Sequence, residues 1–181
     1  MAQAVITGGG PLASLGAEVL AGLGWRVRRL VPGDDGLSGD ETLLLAMAPS
    51  VTDGSVARLA QAMADQLPPA ARDGDGEMRA PGQVVLLLDS AAQVPGLGPV
   101  EPAVAQAAAL RWLADAALAL APRLRVNALT CNPSIGAADL APVLAWLTTA
   151  HAVTGQALTL GPVPRLASPW RGDTSRPGHF T

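Results

Sequence analysis

At 181 residues, 49% apolar but only 3% aromatic, the chain has the size of one domain whose core is built from Leu, Val and Ala, with four Trp as large fillers. The formal charge is -3, and all 12 basic residues are scattered Arg, so no basic field faces a phosphate backbone and nucleic acid is excluded as a partner. A lone Cys131 excludes an internal disulfide, and no cluster has metal-ligand spacing. The opening MAQAVITGGG has no basic segment followed by an apolar stretch, which predicts a cytoplasmic location.

In chain order, residues 3–7 (QAVIT) form a short apolar run that ends at Gly8, Gly9 and Gly10, and residues 12–23 then place Leu12, Leu15, Val19, Leu20 and Leu23 at helical spacing. Strand, tight turn and helix are predicted, with Gly24 closing the helix. Residues 25–31 (WRVRRLV) alternate as a second strand, residues 32–40 (PGDDGLSGD) break it, and residues 42–47 (TLLLAM) have the continuous apolar character of a parallel strand covered on both faces.

Thr52 or Asp53 can cap a helix running to about Leu67, with Val56, Leu59, Ala60 and Met63 on its apolar face and Pro68 and Pro69 stopping it. Residues 70–82 lack periodicity and read as a solvated loop. Residues 83–88 (QVVLLL) form a strand, residues 89–98 a loop, and an Ala-rich helix then runs to Pro122. Glu101, Arg111 and Asp115 interrupt that helix, which argues against a membrane span. Residues 125–129 (RVNAL) are a further strand, residues 138–151 a helix and residues 157–160 a last strand. The domain is predicted over 1–160, with a proline-rich tail over 161–181 lying on the surface or on a partner.

Strands that alternate with helices predict an α/β fold, a Rossmann-like, three-layer, doubly wound and mostly parallel sheet with right-handed crossovers. In such sheets ligands sit at the carboxyl ends of the strands, where strand order reverses. Residues 8–12, 46–50, 89–94 and 131–135 are thereby predicted around one crevice.

Several pieces, in this order, resemble the short-chain dehydrogenase/reductase family: TGGGPLASLG after the first strand, QVVLLLDS, LAPRLRVNALTCNPSI, and VTGQALTL near the end. The resemblance implies that family's fold in shortened form. Its helix, strand and helix between the second strand and TLLLAM have only PGDDGLSGDE in their place, which alters the sheet edge that receives adenine. The resemblance also implies a tyrosine as general acid or base, a lysine that lowers its pKa and holds the ribose, and a serine that positions the carbonyl. Ser90 stands where the serine would be, and Pro102 and Gln106 stand where the tyrosine and lysine would be. No Tyr or Lys exists anywhere in the chain, so the family's usual mechanism is excluded.

Two readings of the glycine turn stand side by side. As a retained NAD(P) site, Thr7, Gly8, Gly9, Gly10 and Leu12 would meet the pyrophosphate, Asn132 and Pro133 would form the family's second turn, and Arg28 would favour a 2′-phosphate. As scaffold, the turn only joins strand to helix and no cofactor binds. The family's later two glycines do not appear at their expected spacing, since the run continues Pro11, Leu12, Ala13, Ser14, and a bulky Leu12 at the mouth would crowd a phosphate, which favours the second reading.

Ser90 is likewise a loop serine or a remnant of the active site, and Cys131 a buried hydrophobe or a reactive thiol. His151 and His179 are distant from Asp89 and Ser90 in sequence, so no nucleophile triad is assembled. Arg171, Gly172 and Asp173 spell an adhesion tripeptide, taken as chance in a cytoplasmic chain.

The helix over 100–121 places Ala103, Ala107, Leu110, Leu113, Ala117 and Leu120 on one side and further apolar residues elsewhere, so burial on two sides is expected. By resemblance this helix pairs with a copy in a homo-oligomer or in a hetero-oligomer with a related subunit. Three function classes follow: a noncatalytic structural or regulatory subunit, an NAD(P)-dependent oxidoreductase with a non-standard site, and a small-metabolite-binding module.

Overall fold

The structure is a computed structural model that describes residues 2–31, 37–68, 71–72, 78–93, 100–132 and 134–161. Expectations for Pro133, His179, the 171–173 tripeptide and the tail beyond Gly161 lie outside the described residues.

Five apolar runs become the strands of one sheet: β1 Gln3–Thr7, β3 Glu41–Met47, β6 Gly82–Asp89, β7 Leu124–Cys131 and β8 Ala157–Leu160, with β2 Arg26–Arg29 at one edge. The order is β2-β1-β3-β6-β7-β8, and every pairing is parallel. The central strands are buried on both faces, as their unbroken runs of Val and Leu require. The chain leaves β1 for β2 on one side and returns to β3 on the other, so strand order reverses between β1 and β3.

Helices cover both faces. α1 Pro11–Gly22 and α5 Ala137–Thr149 pack on one, around Ile6, Leu20, Leu45, Leu87 and Leu144. On the other lie α2 Ala48–Thr52, α3 Ser55–Gln66 and α4 Val100–Ala119, around Leu44, Leu59, Met63, Leu86 and Leu113. Gly16 lets α1 approach closely, since a side chain there would run into Leu45.

The structure corrects the predicted elements in four places. Residues 70–82 were expected as loop, yet β4 Ala71–Arg72 and β5 Met78–Arg79 form a small antiparallel ladder. Asp53 Oδ1 accepts from the Ser55 N–H at 2.8 Å and so caps the expected helix, but that helix does not begin at Thr52. Pro49 stands in the first turn of α2, where a missing N–H costs nothing, Thr52 ends that helix, and α3 begins after Gly54. The second strand is shorter than predicted: it spans Arg26–Arg29, Trp25 and Val31 lie outside the edge pairing with β1, and Leu30 follows the strand with its N–H on the Ile6 carbonyl at 2.9 Å.

The fourth correction concerns α4. Its buried face is Ala105, Gln106, Ala109, Leu113, Ala116 and Ala117, whereas Ala107 is exposed and Ala103 and Leu110 are half-buried. The chain itself therefore covers only one side of a helix expected to be covered on two.

The shortened link between β2 and β3 is tied by one carboxylate. Glu41, 3% exposed, accepts from Arg28 Nε and Nη2 at 3.2 and 2.7 Å, from the Ser38 N–H and hydroxyl at 2.8 and 2.6 Å, and from the Gly39 N–H at 3.0 Å. Burial alone would raise its pKa, but the hydrogen bonds of Ser38 and Arg28, with the Arg28 charge, outweigh it and hold the group below its ordinary value. A lowered folded pKa contributes stability that is full above the unfolded value of about 4.3 and is lost as pH falls through the folded one. The urea midpoint is therefore expected to drop on acidification below about pH 4. Glu41→Gln should be less stable near neutrality and should lose less of its midpoint over the same acid range.

Candidate functional site

At the carboxyl ends of β1, β3, β6 and β7 lies a cavity of about 670 Å³. Its wall comes from the glycine turn and α1 (Gly9, Pro11, Leu12, Leu15), from the end of β3 and α2 (Met47, Ala48, Pro49, Thr52) and from β6 (Leu87, Asp89). The first turns of α4 (Glu101, Pro102, Ala105, Gln106) and Ile135 complete it. All four segments predicted around the crevice contribute. The wall is mostly apolar, and none of its described residues is basic.

Within the glycine turn the three residues do different work. Gly8 has φ +93, and a Cβ on it would stand 2.8 Å from Met47 Cβ and 2.9 Å from Ser50 Oγ, so this position serves the packing of β1 against β3 and α2. Gly9 lines the cavity with nothing within 4 Å of an added Cβ. Gly10 is the N-cap of α1 without a side-chain bond, and Thr7 is buried at the strand end. Gly8→Ala is accordingly expected to cost about 2 kcal/mol in urea denaturation, from strain at positive φ and the clash. Gly9→Ala should stay within about 0.5 kcal/mol of the parent.

The remaining candidates are dispersed. Ser90 opens a 3-10 turn, Ser90–Gln93, that packs against α4; it is 3% exposed and its hydroxyl has no hydrogen-bond partner. Arg28 is held on Glu41, away from the cavity wall. Asn132 Oδ1 accepts from the Ser134 N–H at 2.9 Å and the Ser134 hydroxyl at 2.7 Å, which shapes the turn after β7. Cys131 is fully buried, and burial together with the nearby Asp89 charge pushes its pKa up to about 11, so it behaves as a hydrophobe rather than a nucleophile. His151 follows Ala150, whose carbonyl binds Arg125 at the start of β7, so it lies about 20 Å along the sheet from Ser90 at the other strand end.

Gln106 is the informative polar residue of the wall. It is 4% exposed, and its Oε1 has no hydrogen-bond partner. Leu15 and Leu87, which helix and strand periodicity assign only to the core, also line the cavity. No local sequence signal separates a core leucine from one that faces a cavity.

A doubly wound parallel sheet with a cavity at its switch point defines a Rossmann-like α/β protein. The family model described as short chain dehydrogenase-like protein, SDR-like, matches residues 57–160, and the chain belongs to that family. No curated protein sequence matches it.

Solved structures share the fold. The crystal structure of 3-hydroxyacyl-CoA dehydrogenase type-2 from Mycobacterium avium is similar with a TM-score of 0.67 and 16% identity, over 91% of this chain and 96% of that one. Enoyl-[acyl-carrier-protein] reductase (NADH) from Aquifex aeolicus VF5 is similar with a TM-score of 0.63 and 16% identity, over 87% of this chain and 94% of that one. FolM alternative dihydrofolate reductase 1 from Brucella suis, in complex with NADP, is similar with a TM-score of 0.61 and 17% identity, over 88% and 93%.

Proposed function

We propose that this chain is a noncatalytic family member that acts as a structural or regulatory subunit, assembled through α4 with a second copy of itself or with a related subunit. The observation that carries this reading is the pair at the cavity wall. Pro102 and Gln106 stand where the resemblance calls for tyrosine and lysine, and no Tyr or Lys exists elsewhere in the chain to replace them. Pro102 has no ionisable group, and a carboxamide neither exchanges a proton near neutrality nor carries the charge that would lower a neighbour's pKa.

The similar structures named above include an enoyl-[acyl-carrier-protein] reductase (NADH) and a reductase in complex with NADP. The residues at this cavity do not fit the pyrophosphate of such a cofactor. Leu12 and Leu15 line the space beside the turn, Pro11 removes one N–H from the first turn of α1, and the charged side chains of the described wall, Asp89 and Glu101, are acidic. What remains of an anion site is the N-terminus of α1 without a side-chain cap.

The exposed side of α4 supports assembly. Val100, Val104, Ala107, Arg111, Ala114 and Leu118 are all exposed, and they recur at alternating intervals of four and three, the spacing of a helix-pairing seam. Val100, Val104 and Leu118 are 73%, 59% and 83% exposed. The one cation in that row, Arg111, is bound to Asp115 at 3.1 Å, so no unneutralised charge interrupts the seam. Light scattering on purified protein tests self-assembly: a mass of at least twice the 18.3 kDa chain is expected, and a monomer at micromolar concentration would overturn the homo-oligomer and leave only assembly with a related subunit.

A further inference from the structure

From the cavity wall we infer a ligand class: an apolar small molecule that is neutral or cationic and carries a hydrogen-bond donor, such as an amine N–H or a hydroxyl, bound in the absence of nucleotide. This rests on the reading that the cavity has lost hydride chemistry. It says what the space holds instead.

Three observations carry it. The volume, about 670 Å³, is that of a drug-sized ligand, and Leu12, Leu15, Met47, Leu87 and Ile135 would exclude water from an apolar body within it. The charge that Glu101 brings to the wall is negative, and no described lining residue is basic. An anionic ligand is disfavoured and a cationic one attracted.

The third observation is unmet hydrogen bonding. Gln106, a residue of the wall, is 4% exposed, and its Oε1 has no hydrogen-bond partner. A buried polar atom without a partner is costly, so a ligand that supplies the partner gains more than an ordinary surface hydrogen bond. The terminal torsion of Gln is soft, so the carboxamide can turn its oxygen toward a donor in the cavity.

Two probes with one aromatic core test the inference by fluorescence enhancement: N-phenyl-1-naphthylamine, neutral with one N–H, and 8-anilinonaphthalene-1-sulfonate, the anionic counterpart. The neutral probe is expected to bind the full chain at micromolar concentration and the sulfonate roughly tenfold more weakly. Gln106→Met, close in volume but without an acceptor, should weaken the neutral probe about tenfold. Thr52→Trp fills the rim from an exposed position and should reduce binding without burdening the core.

No binding of the neutral probe, equal binding of the sulfonate, or a signal that survives both substitutions would overturn the inference. Displacement of the probe by NADPH would also overturn it, because the space would then belong to a nucleotide. Consumption of NADPH by the parent protein would overturn the noncatalytic reading instead, while loss of probe binding alone would leave that reading standing.

Discussion

Arg125→Ala is expected to destabilise the fold by about 3 kcal/mol, read from the urea midpoint at neutral pH. Arg125 is 5% exposed at the start of β7, and among the described residues no carboxylate is bonded to it. Its Nη1 donates to the carbonyls of Leu147 and Ala150, both at 2.8 Å, and its Nη2 to that of Thr148 at 3.4 Å. These are the last carbonyls of α5, which have no acceptor role left within the helix, and the cation also sits at the negative end of the helix dipole. Burial pushes the guanidinium pKa down, yet an arginine stays protonated.

Alanine would leave the Leu147 and Thr148 carbonyls without donors beside a void, while that of Ala150 would keep the Val153 N–H at 3.1 Å. Arg125→Met keeps most of the volume and isolates the polar loss, so it should still cost about 2 kcal/mol. A midpoint unchanged in both variants would show that water satisfies the end of α5 and that Arg125 is dispensable.

The second large effect belongs to the exposed seam of α4. Val104→Asp combined with Leu118→Asp is expected to weaken self-association or partner binding at least about 100-fold, since each carboxylate would face an apolar partner without a counter-ion. Both positions are more than half exposed in the single chain, so the isolated subunit should keep its urea midpoint to within about 0.5 kcal/mol. Sedimentation over a concentration series separates the two effects. Unchanged assembly in the double variant would place the interface elsewhere.

The strands were legible because parallel strands buried on both faces are continuous apolar runs, as TLLLAM and QVVLLL are, and glycine and proline mark the turns between them. The two most family-like segments, RVNAL and VTGQALTL, turn out to bind each other. Asn127 donates to the Val153 carbonyl at 2.9 Å and accepts from the Gln156 N–H at 3.1 Å, and Thr154 Oγ1 accepts from the Val126 N–H at 3.0 Å. Their co-occurrence therefore has a physical cause: β7 carries the side chains that fix the approach to β8.

What the sequence hid was either too short for periodicity or dependent on a distant partner. The two-residue strands β4 and β5 produce no pattern. The buried face of α4 could not be read because alanine on every side leaves its apolar stripe undefined, and only the sheet beneath decides which alanines are covered. At the site, strand ends located the cavity, but Arg28 was read as a candidate for a phosphate because nothing local reveals Glu41, thirteen residues on and bound to it. Gln106 was placed by resemblance, and its unmatched carboxamide oxygen emerges only with the cavity around it.

The most direct test of the central claim is calorimetric titration of the purified protein with NADPH and then NADH, its oligomeric state checked by light scattering, followed by cofactor absorbance with carbonyl substrates present. The account predicts no saturable heat below about millimolar cofactor and no loss of the reduced cofactor's absorbance. Micromolar binding with steady cofactor oxidation would contradict it and make this chain an oxidoreductase that works without the family's tyrosine and lysine.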